Sequence, residues 1–187
     1  MTAAIFRTAL LCLGLVFPLA VKAETAAPTG HVLITLGGAV EHSNLPPRQP
    51  DDGGLFGYLE VTYDMAMGFD ADMLDAFEQV EVTIPYGPEG NRRDIAFSGP
   101  RLADVIEAAG GTGKTARPMA LDGYQAEIAW ADVVSFAPIL ATRADGAPMG
   151  LGSYGPTMIV FPATDDAEVR ERQAAQQVWA LAYIGIE

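Results

Sequence analysis

The sequence predicts an α+β protein with mixed β-sheets and short helices, and three observations carry that expectation. Strand-like and helix-like segments alternate without the regular strand–helix–strand rhythm of a parallel sheet. Two Asp-Gly pairs, Asp122-Gly123 and Asp145-Gly146, sit between apolar runs, as tight hairpins require. Once a leader is set aside, 164 residues remain (187 minus 23), enough for one domain to bury its own core.

The elements follow in chain order. His31 to Leu36 reads as a first strand, and Glu41 to Gly54, rich in Pro, Asn, Asp and Gly, as a loop. Gly57 to Tyr63 alternates apolar and polar residues and suits a half-buried strand. Asp70 is a good helix N-cap, with Met73, Leu74 and Phe77 on one apolar face behind it. Val80 to Pro85 returns to strict alternation. Ser98-Gly99-Pro100 opens a second helix whose stripe is Leu102, Val105, Ile106 and Ala109, stopped by Gly110 and Gly111. Pro118 to Leu121 and Tyr124 to Ile128 flank the first Asp-Gly turn, and Trp130 to Val134 makes a helical turn. Pro138 to Arg143 leads into the second Asp-Gly turn. Thr157 to Phe161 is a buried strand between two prolines. Asp165 or Asp166 caps a polar helix running to about Gln176, and Val178 to Ile186 closes the chain as a strand.

Residues 1–23 read as a secretion signal. Arg7 supplies a positive start, Ala9 to Val21 form a 13-residue apolar run, and Val21-Lys22-Ala23 presents small residues for cleavage after Ala23. That run falls short of the roughly 20 residues a membrane span needs. The expectation is a periplasmic or secreted protein with no membrane span in its mature form. The single cysteine, Cys12, leaves with the leader, so residues 24–187 contain no thiolate for a disulfide, a zinc site or an iron–sulfur cluster.

Charge narrows the partners. The mature chain carries all 24 acidic residues against nine basic ones (11 minus Arg7 and Lys22). Such a field repels nucleic acid and anionic membranes. Between Glu24 and Glu89 the only basic residue is Arg48, whereas Arg92, Arg93, Arg101, Lys114 and Arg117 follow close together. That basic stretch is either a solvated patch or an anion-binding face.

Two apparent motifs are better read as structure. Gly110 to Thr115 (GGTGKT) imitates a phosphate loop, but Ala108 stands where its first glycine belongs, and the segment follows a helix instead of a strand. Met65, Met67 and Met73, with His31 and His42, offer soft ligands for copper, yet methionine more often fills gaps in a core. No Ser/His/Asp or Cys/His constellation is present.

FSGPRLADVIEAAG, ALDGYQAEIAW, PILATRADGAPM, YGPTMIVFP and VWALAYIGIE occur in this order between Phe97 and Glu187, within a similar region that covers roughly Gly57 to Glu187. Together they resemble the oxidoreductase molybdopterin-binding domain of the sulfite oxidase type, in a short, single-domain, exported form, with residues 24–56 preceding the similar region. The resemblance implies a pterin cofactor, an oxidoreductase scaffold and a metal-ligating cysteine in the stretch Val80 to Gly90. Pro85-Tyr86 stands where that cysteine would be, and neither is a soft anionic ligand. The cofactor's phosphate would be held by a His and an Arg where this chain has Tyr154 and Met158, and a basic residue is replaced by Val178.

The functional expectation is therefore a non-catalytic small-molecule-binding or accessory module with no metal. Arg92, Arg93 and Arg101 flank the implied cofactor loop and suit bidentate capture of an anion, unless they pair with Asp94, Asp104 or Glu107. Tyr86 and Tyr154 frame the same pocket, and Tyr124 either packs an edge or touches ligand. A periplasmic or membrane-sensor protein is the expected macromolecular partner. One alternative is a molybdopterin-dependent oxidoreductase using water or Tyr86 as metal ligand; the other is an acidic interaction protein.

Overall fold

Strands from both ends of the chain meet in the first sheet. The computed structural model describes residues 25–187; the leader read at 1–23, with Cys12, lies outside the described residues. β1 (Ile34–Gly38) runs antiparallel to β2 (Ala66–Phe69) and parallel to β10 (Leu181–Ile186). β5 (Ala116–Ala120) completes this sheet antiparallel to β10. A second, antiparallel sheet has the order β3 (Gln79–Tyr86), β4 (Arg93–Pro100), β7 (Arg143–Ala144), β8 (Ala147–Pro148). β6 (Ile139–Ala141) and β9 (Met158–Val160) form a separate two-stranded ribbon.

Among the described residues, five helices pack around these strands: α1 (Gly54–Tyr58), α2 (Ala71–Asp75), α3 (Leu102–Ala108), α4 (Trp130–Phe136) and α5 (Ala167–Gln176). The expected α+β class with mixed sheets is what the structure shows. The core is divided. Ile34, Leu36, Leu102, Ile106, Ile184 and their neighbours fill the larger part, and Val82, Ile84, Ile95 and Phe97 the smaller. The ribbon is the wall between them. Leu140 and Ile159 face the first cluster, while Ile139, Ala141, Met158 and Val160 face the second, as the two-residue period of a strand dictates.

Several sequence expectations hold in detail. The Asp70 carboxylate accepts from the Met73 backbone N–H at 2.9 Å and also from those of Thr29 and Gly30, so one side chain caps α2 and anchors the incoming chain. The four stripe residues of α3 are all buried. Asp145 and Gly146 both have positive φ, +49° and +76°, which matches the right-handed strand twist across a two-residue hairpin.

Other expectations are corrected. Gly57 to Tyr63 is no strand: Asp52, Gly53 and Gly54 turn the chain into α1, and Glu60 at φ +56° ends it. Only Val61 of that segment is buried, so its alternation never met a sheet. Arg93 to Pro100 is a strand, and the helix begins only at Leu102. Gly99 is needed there because β4 passes so close to β6 that a Cβ would stand 2.1 Å from the Leu140 carbonyl oxygen. Tyr124 to Ile128 returns beside β5 through isolated bridges only, at Gln125 and Ile128. The first strand starts at Ile34, and the last at Leu181, after Ala180 takes a left-handed φ of +49°.

Candidate functional site

The free end of the β3–β4 hairpin and one face of α5 enclose a groove of about 480 Å³. Tyr86, the last residue of β3, stands in its wall. Its ring meets Tyr154 edge-on at 5.0 Å and Phe97 at 5.8 Å, so three aromatic rings fix one another. Burial pushes the Tyr86 phenol above its ordinary range, and neighbouring Tyr154 adds to this; Gln177 and the Arg92 charge pull the other way. The phenol is accordingly held neutral near pH 7.

Arg92 enters from the hairpin turn and Arg170 from α5. The Arg170 guanidinium spends one N–H on the Thr164 carbonyl at 3.1 Å. Among the described residues neither arginine has a carboxylate within ion-pairing distance. No Asp or Glu lines this groove, although acidic residues outnumber basic ones 24 to 11 across the chain. Two unpaired guanidinium groups over a wall of Ile84, Phe161 and Pro162 make a local positive site in a negative molecule.

A second lobe of about 500 Å³ lies beside the first, with Gln177 and Trp179 lining both. Ala120, Leu121, Asp122, Tyr124 and Ala180 complete it. Tyr124 and Trp179 are about half exposed. The Asp122 carboxylate accepts from the Tyr124 backbone N–H at 2.9 Å, and the Tyr124 hydroxyl donates to the Ala175 carbonyl at 3.4 Å.

The six residues singled out from sequence are thus brought together only in part. Tyr86 and Arg92 share the first lobe, Tyr154 backs Tyr86, and Tyr124 stands in the second. Arg93 turns aside onto Asp145 at 2.7 Å, a pairing partner other than the three considered. Arg101 lies at the opposite end of the hairpin, because Tyr86 pairs with Arg93 whereas Gln79 pairs with Pro100. Seven residues of strand separate the two ends, about 23 Å. Arg170, Gln173, Gln177 and Trp179 were missed. Arg170 and Gln173 share one face of α5, but nothing in so polar a helix marks that face as the lining of a cleft, and Gln177 lies just past its end.

The decoy motifs settle into the scaffold. Lys114 donates to the carbonyls of Ala39 and Gly110 at 2.5 and 3.3 Å. Met67 is buried in the larger core with Met65 and Met73 at its border, and His42 Nδ1 donates to the Ala108 carbonyl. Among the described residues no three His, Cys, Asp or Glu side chains gather closely enough to hold a metal ion.

Fold and groove define the class: an α+β scaffold, distantly like a molybdopterin oxidoreductase, that carries a two-lobed cleft. Among solved structures, the fold is similar to that of the sulfane dehydrogenase SoxCD from Paracoccus pantotrophus, at 15% identity and a TM-score of 0.54. The match covers 83% of this chain and 38% of that one, so the chain spans well under half of that protein's length. No known family profile and no curated protein matches the sequence.

The donor set does not fit a molybdenum centre. The described residues contain no cysteine, and the side chain at the implied ligand position, Tyr86, is a neutral phenol wedged between Phe97 and Tyr154.

Proposed function

We propose that this protein is an exported, non-catalytic module that binds a small anionic molecule in the cleft of a molybdopterin-oxidoreductase-like scaffold. One observation carries the reading: Arg92 and Arg170 converge on a groove without a carboxylate, in a chain rich in them. Arginine offers planar paired donors to phosphate, sulfonate or carboxylate, and a charge-assisted hydrogen bond contributes about 1.5–3 kcal/mol. A molybdopterin-type cofactor remains a ligand suggested by resemblance, without a metal ligand to complete it. The macromolecular partner is proposed to be a periplasmic or membrane-sensor protein that reads the loaded state.

Calorimetric titration with inorganic phosphate at low salt tests this. Binding is expected for the unmodified protein, and Arg170→Ala should weaken it about tenfold or more. Phosphate affinity unchanged in an Arg92→Ala/Arg170→Ala double variant would overturn the assignment. The oxidoreductase alternative is tested by metal analysis of protein purified from a host that makes the cofactor: one molybdenum per chain would replace the non-catalytic reading.

A further inference from the structure

The two lobes differ in chemistry and share a wall. On one side of Gln177 and Trp179 stand two arginines without a carboxylate; on the other, Tyr124 and Trp179 are 51% and 49% exposed beside Ala120 and Leu121. An inorganic anion would fill only the first lobe and leave the aromatic shelf of the second in water.

We infer that the ligand is a ring-bearing anion, with its charged group between Arg92 and Arg170 and a flat aryl or heteroaryl ring laid against Tyr124 and Trp179. The inference rests on the anion-binding reading given above and extends it to the neutral half of the molecule. Three features favour this arrangement. Trp179 and Gln177 line both lobes, so the two lie side by side with these two side chains in common. The Tyr124 ring is held from both ends, by Asp122 at its backbone and by the Ala175 carbonyl at its hydroxyl, which reduces the entropy lost when a ring packs on it. Asp122 is the one carboxylate in the two lobes, and it stands in the aromatic one, where it disfavours the reversed orientation.

Titrations with phenyl phosphate, inorganic phosphate and phenol decide it, followed by calorimetry and tryptophan fluorescence. The chain has two tryptophans, so Trp179→Phe identifies which one responds. Phenyl phosphate is expected to bind about tenfold tighter than inorganic phosphate, and phenol alone weakly, with quenching lost in Trp179→Phe. Tyr124→Ala should bring the two phosphates to parity, and Tyr124→Phe should keep the advantage. Circular dichroism and an unaltered unfolding midpoint check that each variant is folded. Equal affinities in the unmodified protein, with inorganic phosphate still weakened by Arg170→Ala, overturn the ring and leave the anion site standing. An undiminished advantage in Tyr124→Ala also overturns it. Failure of both phosphates to bind removes the anion site and this inference together.

Discussion

Tyr183 shows how one side chain can tie pH to stability in this fold. It lies in β10, with Phe56 edge-on at 5.8 Å and Tyr63 stacked at 6.5 Å, and so clamps the 48–63 segment onto the first sheet. Burial, then Tyr63 and Glu187, push its phenol up to about 12. In the unfolded chain the same phenol ionises near pH 10. The folded state therefore keeps a proton that the unfolded state loses, and its stabilisation is complete below about pH 10 and disappears as pH climbs towards 12. Urea midpoints measured across this window should fall, and Tyr183→Phe should fall less steeply; identical slopes would refute the link. Asp70 works in the opposite sense. Its hydrogen bonds from Gly30, Met73 and Thr29 hold its carboxyl below the usual range, so its contribution persists above that range and is lost on acidification. Asp70 was legible in the sequence as a helix cap because capping is local. Its grip on Thr29 and Gly30, some 40 residues away, was not.

At the level of elements, the two arginines of the groove depend on how β3–β4 and α5 are held. α5 is mostly polar (AEVRERQAAQ), its apolar residues are three alanines and Val169, and its only buried side chains are Gln173 and Gln176. Apolar burial alone cannot seat such a helix. Asp132 of α4 does much of it: 3% exposed, it accepts from Gln176 Nε2 at 2.7 Å and from the Arg172 guanidinium at 2.5 Å. Arg172 is mostly in solvent, so the buried Gln176 bond dominates. Asp132→Ala strands that amide and should cost about 1–3 kcal/mol in urea unfolding. It should also weaken phosphate binding, because Arg170 rides on the helix that loosens. Normal stability with normal phosphate binding would show that α5 is seated by other means. This explains which elements sequence reasoning reached. Helices with an apolar stripe, such as α3, and hairpins with Asp-Gly turns announce themselves through local chemistry. Arg93 to Pro100 did not: Gly99-Pro100 resembles a helix opening until the close crossing over Leu140 supplies its reason. Arg170 stayed hidden for a similar cause, since a polar helix gives no sign of which face meets a cleft.

For the whole molecule, the question is whether two hydrophobic clusters make one cooperative unit. The β6–β9 ribbon argues that they do. Adjacent residues of β6 belong to different clusters, Ile139 and Ala141 to the smaller and Leu140 to the larger, and all three are fully buried. β4 and α3 add to the coupling, for the Thr142 backbone N–H donates to the Ser98 carbonyl of β4 at 2.9 Å and that of Leu102, in α3, to the Pro138 carbonyl at 2.9 Å. Neither cluster can melt without stripping one face of a ribbon that the other still needs. The two clusters carry different optical reporters. Trp130 packs against the larger, while Tyr86 and Tyr154 pack against the smaller. Tryptophan fluorescence and near-ultraviolet circular dichroism should therefore trace one coincident urea transition. Leu140→Ala empties space in the larger cluster and Ile139→Ala in the smaller, each at a cost of about 2–5 kcal/mol. Each variant should lower both probes' midpoints together. The arrangement also matters for binding, because the cleft lies where the end of β3, from the smaller cluster, faces Trp179 and α5. A variant that shifted one probe and spared the other would show that the ribbon does not couple the halves, and that the cleft opens along a seam.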